Sequence, residues 1–336
     1  MNNQKKVFEV AILARVKWNL HSLNNEGTLG NVTEPRTVVL ADGAKTDGIS
    51  GEMLKHIHFE YLWQIAQGAP NPTFCVACKQ KSPFKADKAI ILEKPDRTKD
   101  VFNINYLTEG QKEQNIKGQE VPEKIIKASL ACVVCDLHGF MLAQQGVAIS
   151  RPSTLEFGWA VAIPQETDQG RRVYDTKALH LHARHVQGAE RTQESQTGQM
   201  VYHRPTRSGV YAFVSVFQPW RISLNEVVYK YVNDIDERKK RMELALEAYK
   251  ALFMRTDGAM TTTRLPHTEG IEGVVVVSRK PFPAPVISPL KDGYEQEIRS
   301  ICNSNGLEPK PFGGLEEFCA LMDELKNEKP YDITAR

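Results

Sequence analysis

The chain has 336 residues, 41% hydrophobic and 25% charged, the balance of an ordinary soluble globular protein of roughly one to three domains. A net charge of only +2 excludes any bulk electrostatic argument for nucleic-acid binding, so a polyanion would have to be held by local patches. No apolar run reaches the ~18 residues needed to span a bilayer, and no membrane partner is expected.

The N-terminus, MNNQKKVFEVAILARVKW, is basic and then apolar like a signal peptide. Glu9, Arg15 and Lys17 interrupt the apolar stretch, and no small-residue cleavage site follows. Val7 to Trp18 is therefore read as a first strand, and the protein as cytoplasmic. A Gly/Asn-rich loop runs from Asn19 to about Gly48. Ser50 is a good N-cap, and Leu54, Ile57, Tyr61, Leu62 and Ile65 recur at helical spacing. This predicts a first helix ending near Gln67, before Gly68 and Pro70.

Residues 69–146 lose the rhythm and are read as an inserted subdomain; Gly146 to Ile163 is β-like, in two pieces around Pro152. Residues 164–209 are polar, suiting a protruding loop or hairpin. Val210 to Phe217 predicts a strand. Asp234 to Phe253 predicts an amphipathic helix with Met242, Ala245, Leu246, Tyr249, Leu252 and Phe253 as its stripe. Gly273 to Ser278 predicts a buried strand, and the Pro-rich tail from Pro281 a single helix, Gly314 to Leu325.

With the two inserts removed, the order is strand, helix, strand, strand, helix, strand. That is the α+β, ferredoxin-like βαββαβ plan shared by RRM domains. The palm would comprise 1–68, 147–163 and 210–280, with 281–336 as a C-terminal extension. Such a plan hosts many functions, so the function has to come from the odd segments.

Four of the six cysteines form two C-x-x-C pairs, Cys75/Cys78 and Cys132/Cys135. In a reducing compartment such pairs point to metal, and four thiolates make a complete tetrahedral structural zinc site. The 53 residues between the pairs leave their convergence open, and unligated or redox thiols are the alternative. His138 could replace one ligand. Cys302 and Cys319 read as small buried hydrophobes.

Several other segments suit a polyanion. A helix start at Ser50-Gly51 offers free N–H groups to a phosphate, with Lys55 and His56 just beyond the first turn; the plain alternative is a capped helix with a solvated lysine. Arg15 and Lys17 share a strand face, and Asn19, His21 and Asn24 follow in an adaptable loop; the alternative is a solvent-facing strand and turn. From Arg171 to Gly209 there are seven Arg/Lys against three Asp/Glu, with four histidines, His180, His182, His185 and His203. Exposed loop suits those histidines better than metal. Tyr211-Ala-Phe213 matches the middle of the RRM aromatic motif out of register, and a buried strand is the better reading. No P-loop, G-x-S-x-G or dinucleotide fingerprint is present, so no catalysis is expected.

Taken together, NLHSLNNEGTLGNVTEPR, DGISGEMLKHIH, CDLHGFM, SRPSTLEFGWAV, RSGVYAFVSVF, ERKKRMELALEAYKALF and TTRLPHTEGIEGVVVVS resemble the CRISPR-associated autoregulator (DevR) family, in order over residues ~7–280. That resemblance implies a backbone subunit of type I Cascade complexes: an RRM-like palm with a fingers insertion (69–146) and a thumb (164–209). Copies would stack head to tail along a crRNA and present its spacer to target DNA. Capping, large and small subunits would be the other partners. By the same resemblance Ser50, Gly51, Lys55 and His56 align with the phosphate-contacting helix start. Asn19, His21 and Asn24 fall on the RNA-facing loop, and Arg151 and Arg207 flank the thumb. Met200 would be the base-displacing wedge. The cysteine pairs go beyond the family's general pattern. Two alternatives stand beside this: a nuclease of related fold using His56, His138 or Asp136, and an autoregulator on duplex DNA.

Overall fold

The computed structural model describes residues 5–335 apart from 24, 30–31, 70–72, 82–89, 93–100, 107–113, 118–120, 145–146, 167, 171, 174–176, 186–198 and 257–260. It is a mixed α/β structure built on one large sheet.

In chain order the elements used below are β1 (Glu9–His21), β2 (Lys45–Ile49), α1 (Gly51–Gln67), α2 (Val76–Lys79), α3 (Val121–Ser129) and α4 (Val133–His138). They are followed by β3 (Leu155–Phe157), β4 (Ala160–Ala162), β5 (Lys177–His185), β6 (Gln199–Phe217), α5 (Ile235–Met254), β7 (His267–Ser278), α6 (Tyr294–Asn305), β8 (Glu308–Phe312) and α7 (Leu315–Lys326).

The sheet runs β8-β7-β1-β6-β4-β2 and ends on the short strand Thr37–Val39. β1 is central. It pairs antiparallel with β6, from Val10↔Phe217 to His21↔Arg207, and with β7, from Glu9↔Ser278 to Asn19↔His267. Both neighbours are long because β1 is rich in β-branched and apolar residues on both faces. Alternation sends Val10, Ile12, Ala14, Val16 and Trp18 to one side, where they join the main core with α1, α5 and α7.

Ala11 and Leu13 point the other way, and with Val274 and Val276 they pack under Tyr294, Ile298 and Cys302 of α6. The tail from Pro281 is thus more than one helix: α6 covers half of the second sheet face, and β8 extends the sheet edge. Pro309 and Pro311 hide this strand from propensity reasoning, and they are tolerated because β8 pairs on one side only.

Two boundaries differ from the sequence reading. The strand expected at Val210 begins at Gln199, because β6 continues past the end of β1 to form a hairpin with β5. The expected loop before Gly48 contains the strands Asn25–Leu29, Val32–Pro35, Thr37–Val39 and β2. Among the described residues of the 69–146 insertion, Ile90–Leu92, Val101–Tyr106 and Gln114–Lys117 form a separate three-stranded sheet beside α3. Among the described residues, no helix is long and apolar enough to cross a membrane.

Candidate nucleic-acid interface and metal centre

β2 delivers the chain to Ser50, which is extended (φ −65°, ψ 150°) and accepts a hydrogen bond from the Met53 amide at 3.2 Å. The next residue has to be glycine, because a Cβ on Gly51 would lie 2.2 Å from the Phe157 carbonyl oxygen. The start of α1 is thereby seated directly on β3. Lys55 is half-buried one turn on, and His56 is exposed with its ring beside Phe59. Glu52 is also exposed in the first turn, where it suits the helix dipole.

Arg15, Lys17 and Asn19 lie along β1 as the alternation requires, and each has a protein partner. Arg15 donates to the Pro289 carbonyl (3.0 Å), pairs with Asp292 (3.1 Å) and lies over the Tyr294 ring. Lys17 pairs with Glu269, and Asn19 donates to the same carboxylate at 2.8 Å. Hydrogen bonds from Lys17 and Asn19 hold the Glu269 carboxyl below its usual range.

His21 and Arg207 are inside the protein, which corrects the expectation that their side chains face RNA. Arg207 pairs with Asp47 at 2.9 Å, and the Tyr211 hydroxyl donates to the other Asp47 oxygen at 2.6 Å. That hydroxyl is also 2.6 Å from His21 Nε2, while His21 Nδ1 accepts from the Leu23 amide at 3.5 Å. Since Tyr211 has spent its proton on Asp47, His21 must donate through Nε2, which makes it the neutral tautomer. Burial, and then the nearby Arg207 charge, push the His21 pKa well below the usual imidazole value, in agreement. Asp47 lies three residues before Ser50, so this network joins the end of β1, the root of the β5–β6 hairpin and the entry to α1. Asp47 was in no candidate site, and Tyr211 stood out only as part of an out-of-register aromatic motif. Their roles come only from strand pairing.

Arg151 is corrected in the same way. It is fully buried and pairs with Asp136 at 3.0 Å. Asp136 also takes Arg241 at 2.7 Å and the Ser223 amide and hydroxyl at 2.9 and 3.0 Å. Sequence reasoning missed this hub, because arginine is usually a surface residue. Met200 lies on β6 in register with Arg184. Asn24 is outside the described residues.

The cysteines converge. All four sulfurs of Cys75, Cys78, Cys132 and Cys135 lie within 4.8 Å of one another, and all are buried. Each pair makes the same turn: the Cys78 amide donates to Cys75 Sγ (3.4 Å), and the Cys135 amide to Cys132 Sγ (3.5 Å), with Cys132 as the N-cap of α4. Cys135 Sγ is 3.8 Å from Cys75 Sγ and 3.6 Å from Cys78 Sγ. A tetrahedral site with Zn–S bonds near 2.3 Å sets sulfurs about 3.8 Å apart, so the set fits a divalent metal of that kind. Burial alone would raise Cys132, yet hydrogen bonds from Cys135, Cys75 and Cys78 outweigh it and hold this thiol well below its usual range. His138 is not a fourth-ligand substitute. Its Nε2 is 3.0 Å from His58 Nδ1, and His58 Nε2 donates to the Ala245 carbonyl.

Residues 12–299 match the model of a family described as CRISPR-associated negative auto-regulator DevR/Csa2. The chain belongs to this family. A DevR relative, the CRISPR-associated protein Cas7/Cst2/DevR of Methanocaldococcus jannaschii, is 27% identical over 332 residues, covering 91% of this chain and 93% of the relative. The DevR fold also resembles a chain of a solved CRISPR RNA-guided surveillance complex in a pre-nicking state. The TM-score there is 0.52 at 12% identity, over 95% of this chain and 99% of that one. Thermofilum pendens Csc2 aligns over 96% of this chain and 86% of its own with a TM-score of 0.39 and 11% identity.

Proposed function

We propose that this DevR-family chain is a guide-RNA-binding backbone subunit of a type I CRISPR surveillance complex. Copies polymerise head to tail along the crRNA and leave its spacer free to pair with target DNA. The crRNA 5′-end-capping subunit, the large subunit and the small subunit are its other partners. An RRM-like palm is the core of the subunit. In its favour, the four strands of the βαββαβ order lie in the sheet as fourth, first, third, second, with neighbours antiparallel. Residues 69–146 serve as fingers and the β5–β6 hairpin as the thumb, with Met200 as its wedge.

The observation that carries this reading is the buried network of His21, Tyr211, Asp47 and Arg207. It ties the segment after β1, the root of the basic hairpin and the lead-in to α1 into one unit. RNA lies on the surface that this unit supports. Lys55, His56, Lys17 and Asn19 present side chains there, and the buried Ser50 and Gly51 seat the helix start that carries Lys55 and His56. His21, Arg151 and Arg207 act from inside as supports. Such contacts are to phosphate and sugar, which gives the sequence-independent grip that holding any spacer requires. A net charge of +2 suffices because many copies share one RNA. The cysteine set holds a structural Zn²⁺ that closes the fingers-side insertion.

The subunit performs no chemistry of its own. Of the three groups a nuclease could use, His138 and Asp136 are buried among partners and His56 alone is exposed. The test is isolation of the native complex from cells and mass spectrometry of it. Multiple copies per RNA, loss of RNA at high salt and intact RNA in magnesium are expected. A one-to-one, salt-insensitive complex, or specific cleavage abolished by His56→Ala, would overturn the reading.

A further inference from the structure

We propose that Trp159, with Arg36 beside it, is a stacking platform for one unpaired base of the bound RNA; this rests on the RNA-binding reading above.

Trp159 sits between β3 and β4 and is 42% exposed. Its neighbours hold it in place, since the Gly158 amide donates to the Val214 carbonyl at 2.9 Å and Ala160 pairs with Ile49. The ring lies over Gly48: a Cβ there would stand 3.0 Å from Trp159 Cε3 and 2.4 Å from a Val38 methyl. Glycine at 48 thus supplies the floor on which the indole rests. Asp47 and Ile49 point into the core, so the alternation puts Gly48, and the ring above it, on the opposite sheet face. Gly48, Val161, Ala212 and Arg15 form one cross-sheet row. Trp159 therefore shares a face with Arg15 and Lys17, at a distance of about 14 Å, three strand spacings. α6 covers the β1–β7 half of that face, whereas Val161 and Val210 on the other half are only half-buried.

The chemistry of that open half suits a nucleobase. An indole face stacks on any base, whatever the sequence. The Arg36 guanidinium lies 5.4 Å from the ring centroid, a planar cation held to the indole face that also attracts a phosphate. The ring is two residues from Phe157, whose carbonyl abuts Gly51, so the backbone that seats the helix start also fixes the position of the indole. Tyr211 and Phe213, the aromatics that resemble an RRM motif, are buried in the core and unavailable. The stacking position is supplied from the β3–β4 junction instead.

The test uses the full chain with two probes, a uridine homopolymer and an abasic ribose-phosphate polymer of equal length. Wild type is expected to bind the uridine polymer on the order of tenfold more tightly than the abasic one, with quenching of indole emission by uridine only. Trp159→Ala is expected to erase that preference while binding the abasic polymer as wild type does. Trp159→Tyr is expected to retain it without the quench. If Trp159→Ala keeps the base preference, the platform is wrong. If the substitution instead alters self-association at unchanged RNA affinity, Trp159 is a contact between copies and the proposal is overturned. If wild type binds neither polymer, it is the RNA-binding reading that has failed.

Discussion

Arg207 Nε stands 2.9 Å from Asp47 Oδ1 with both side chains closed off from solvent, so the root of the basic hairpin is fastened to the strand that leads into α1. A buried pair of this kind is weak evidence for net stability, but breaking it strands a charge in the interior. Arg207→Ala is expected to cost about 3–5 kcal/mol by denaturant titration. Arg207→Ala with Asp47→Ala is expected to cost less than the single variant. A double variant less stable than Arg207→Ala would show that the residual carboxylate is not what hurts.

Asp136 holds a similar position next to the cysteines. It follows Cys135 directly and takes both Arg151 and Arg241. Asp136→Asn keeps the shape and removes the charge, leaving the buried Arg151 without its carboxylate and Arg241 with Glu237 alone. A loss of about 3–5 kcal/mol in global stability is expected, with the largest rise in hydrogen exchange in α4 and the amino-terminal half of α5.

Metal should be inseparable from the folding of this region. Purified protein is expected to carry close to one zinc per chain by elemental analysis. Cys135→Ser is expected to abolish the metal and loosen α2 and α4, since binding energy in such a site is folding energy. Protein that is metal-free and equally stable would dispose of the structural zinc.

Two buried histidines give the pH dependence its sign. Burial lowers His58 to about 3, the largest cause, with the Ala245 carbonyl opposing it; His21 is also well below its usual value. The unfolded chain therefore takes up protons near pH 6.5 that the native state refuses, so stability falls as pH drops from there. For His58 the loss runs down to about pH 3, at about 1.4 kcal/mol per pH unit. His58→Gln is expected to flatten the slope of unfolding free energy between pH 4 and 6, to be read from urea melts at several pH values. An unchanged slope would mean that His58 is protonated in the native state.

On the surface, Glu269 neutralises Lys17 and accepts a hydrogen bond from Asn19. Glu269→Gln is expected to tighten RNA binding a few-fold at low salt and to leave the melting temperature alone, because the pair is exposed and worth little to the fold. Lys55→Ala is expected to weaken binding and reduce the salt dependence of the binding constant. Ser50→Ala keeps the backbone N–H and removes the cap on the Met53 amide, so it should cost about 1 kcal/mol of stability and shift RNA affinity less than Lys55→Ala does. Equal affinities across these variants would remove the helix start and the β1 face from the interface.

Local chemistry alone determined several parts of this protein. Ser50 before an apolar repeat placed α1 correctly as far as Gln67, and Asp234 did the same for α5, because a cap and a 3.6-residue period depend on neighbours in sequence. The two C-x-x-C pairs announced a metal for the same reason. Their meeting across 53 intervening residues was a matter of tertiary structure, since no local property reports on a contact that distant. Tertiary structure also decided which cations reach the surface. Lys17 and Arg207 look alike in the sequence. Pairing of β6 with β1, and Tyr211 reaching across to Asp47, put Arg207 in the core, while Lys17 stays at the surface beside Glu269. The Pro-rich tail shows the same limit: prolines at 309 and 311 argue against a strand until the fold reveals an edge whose outer side needs no donors.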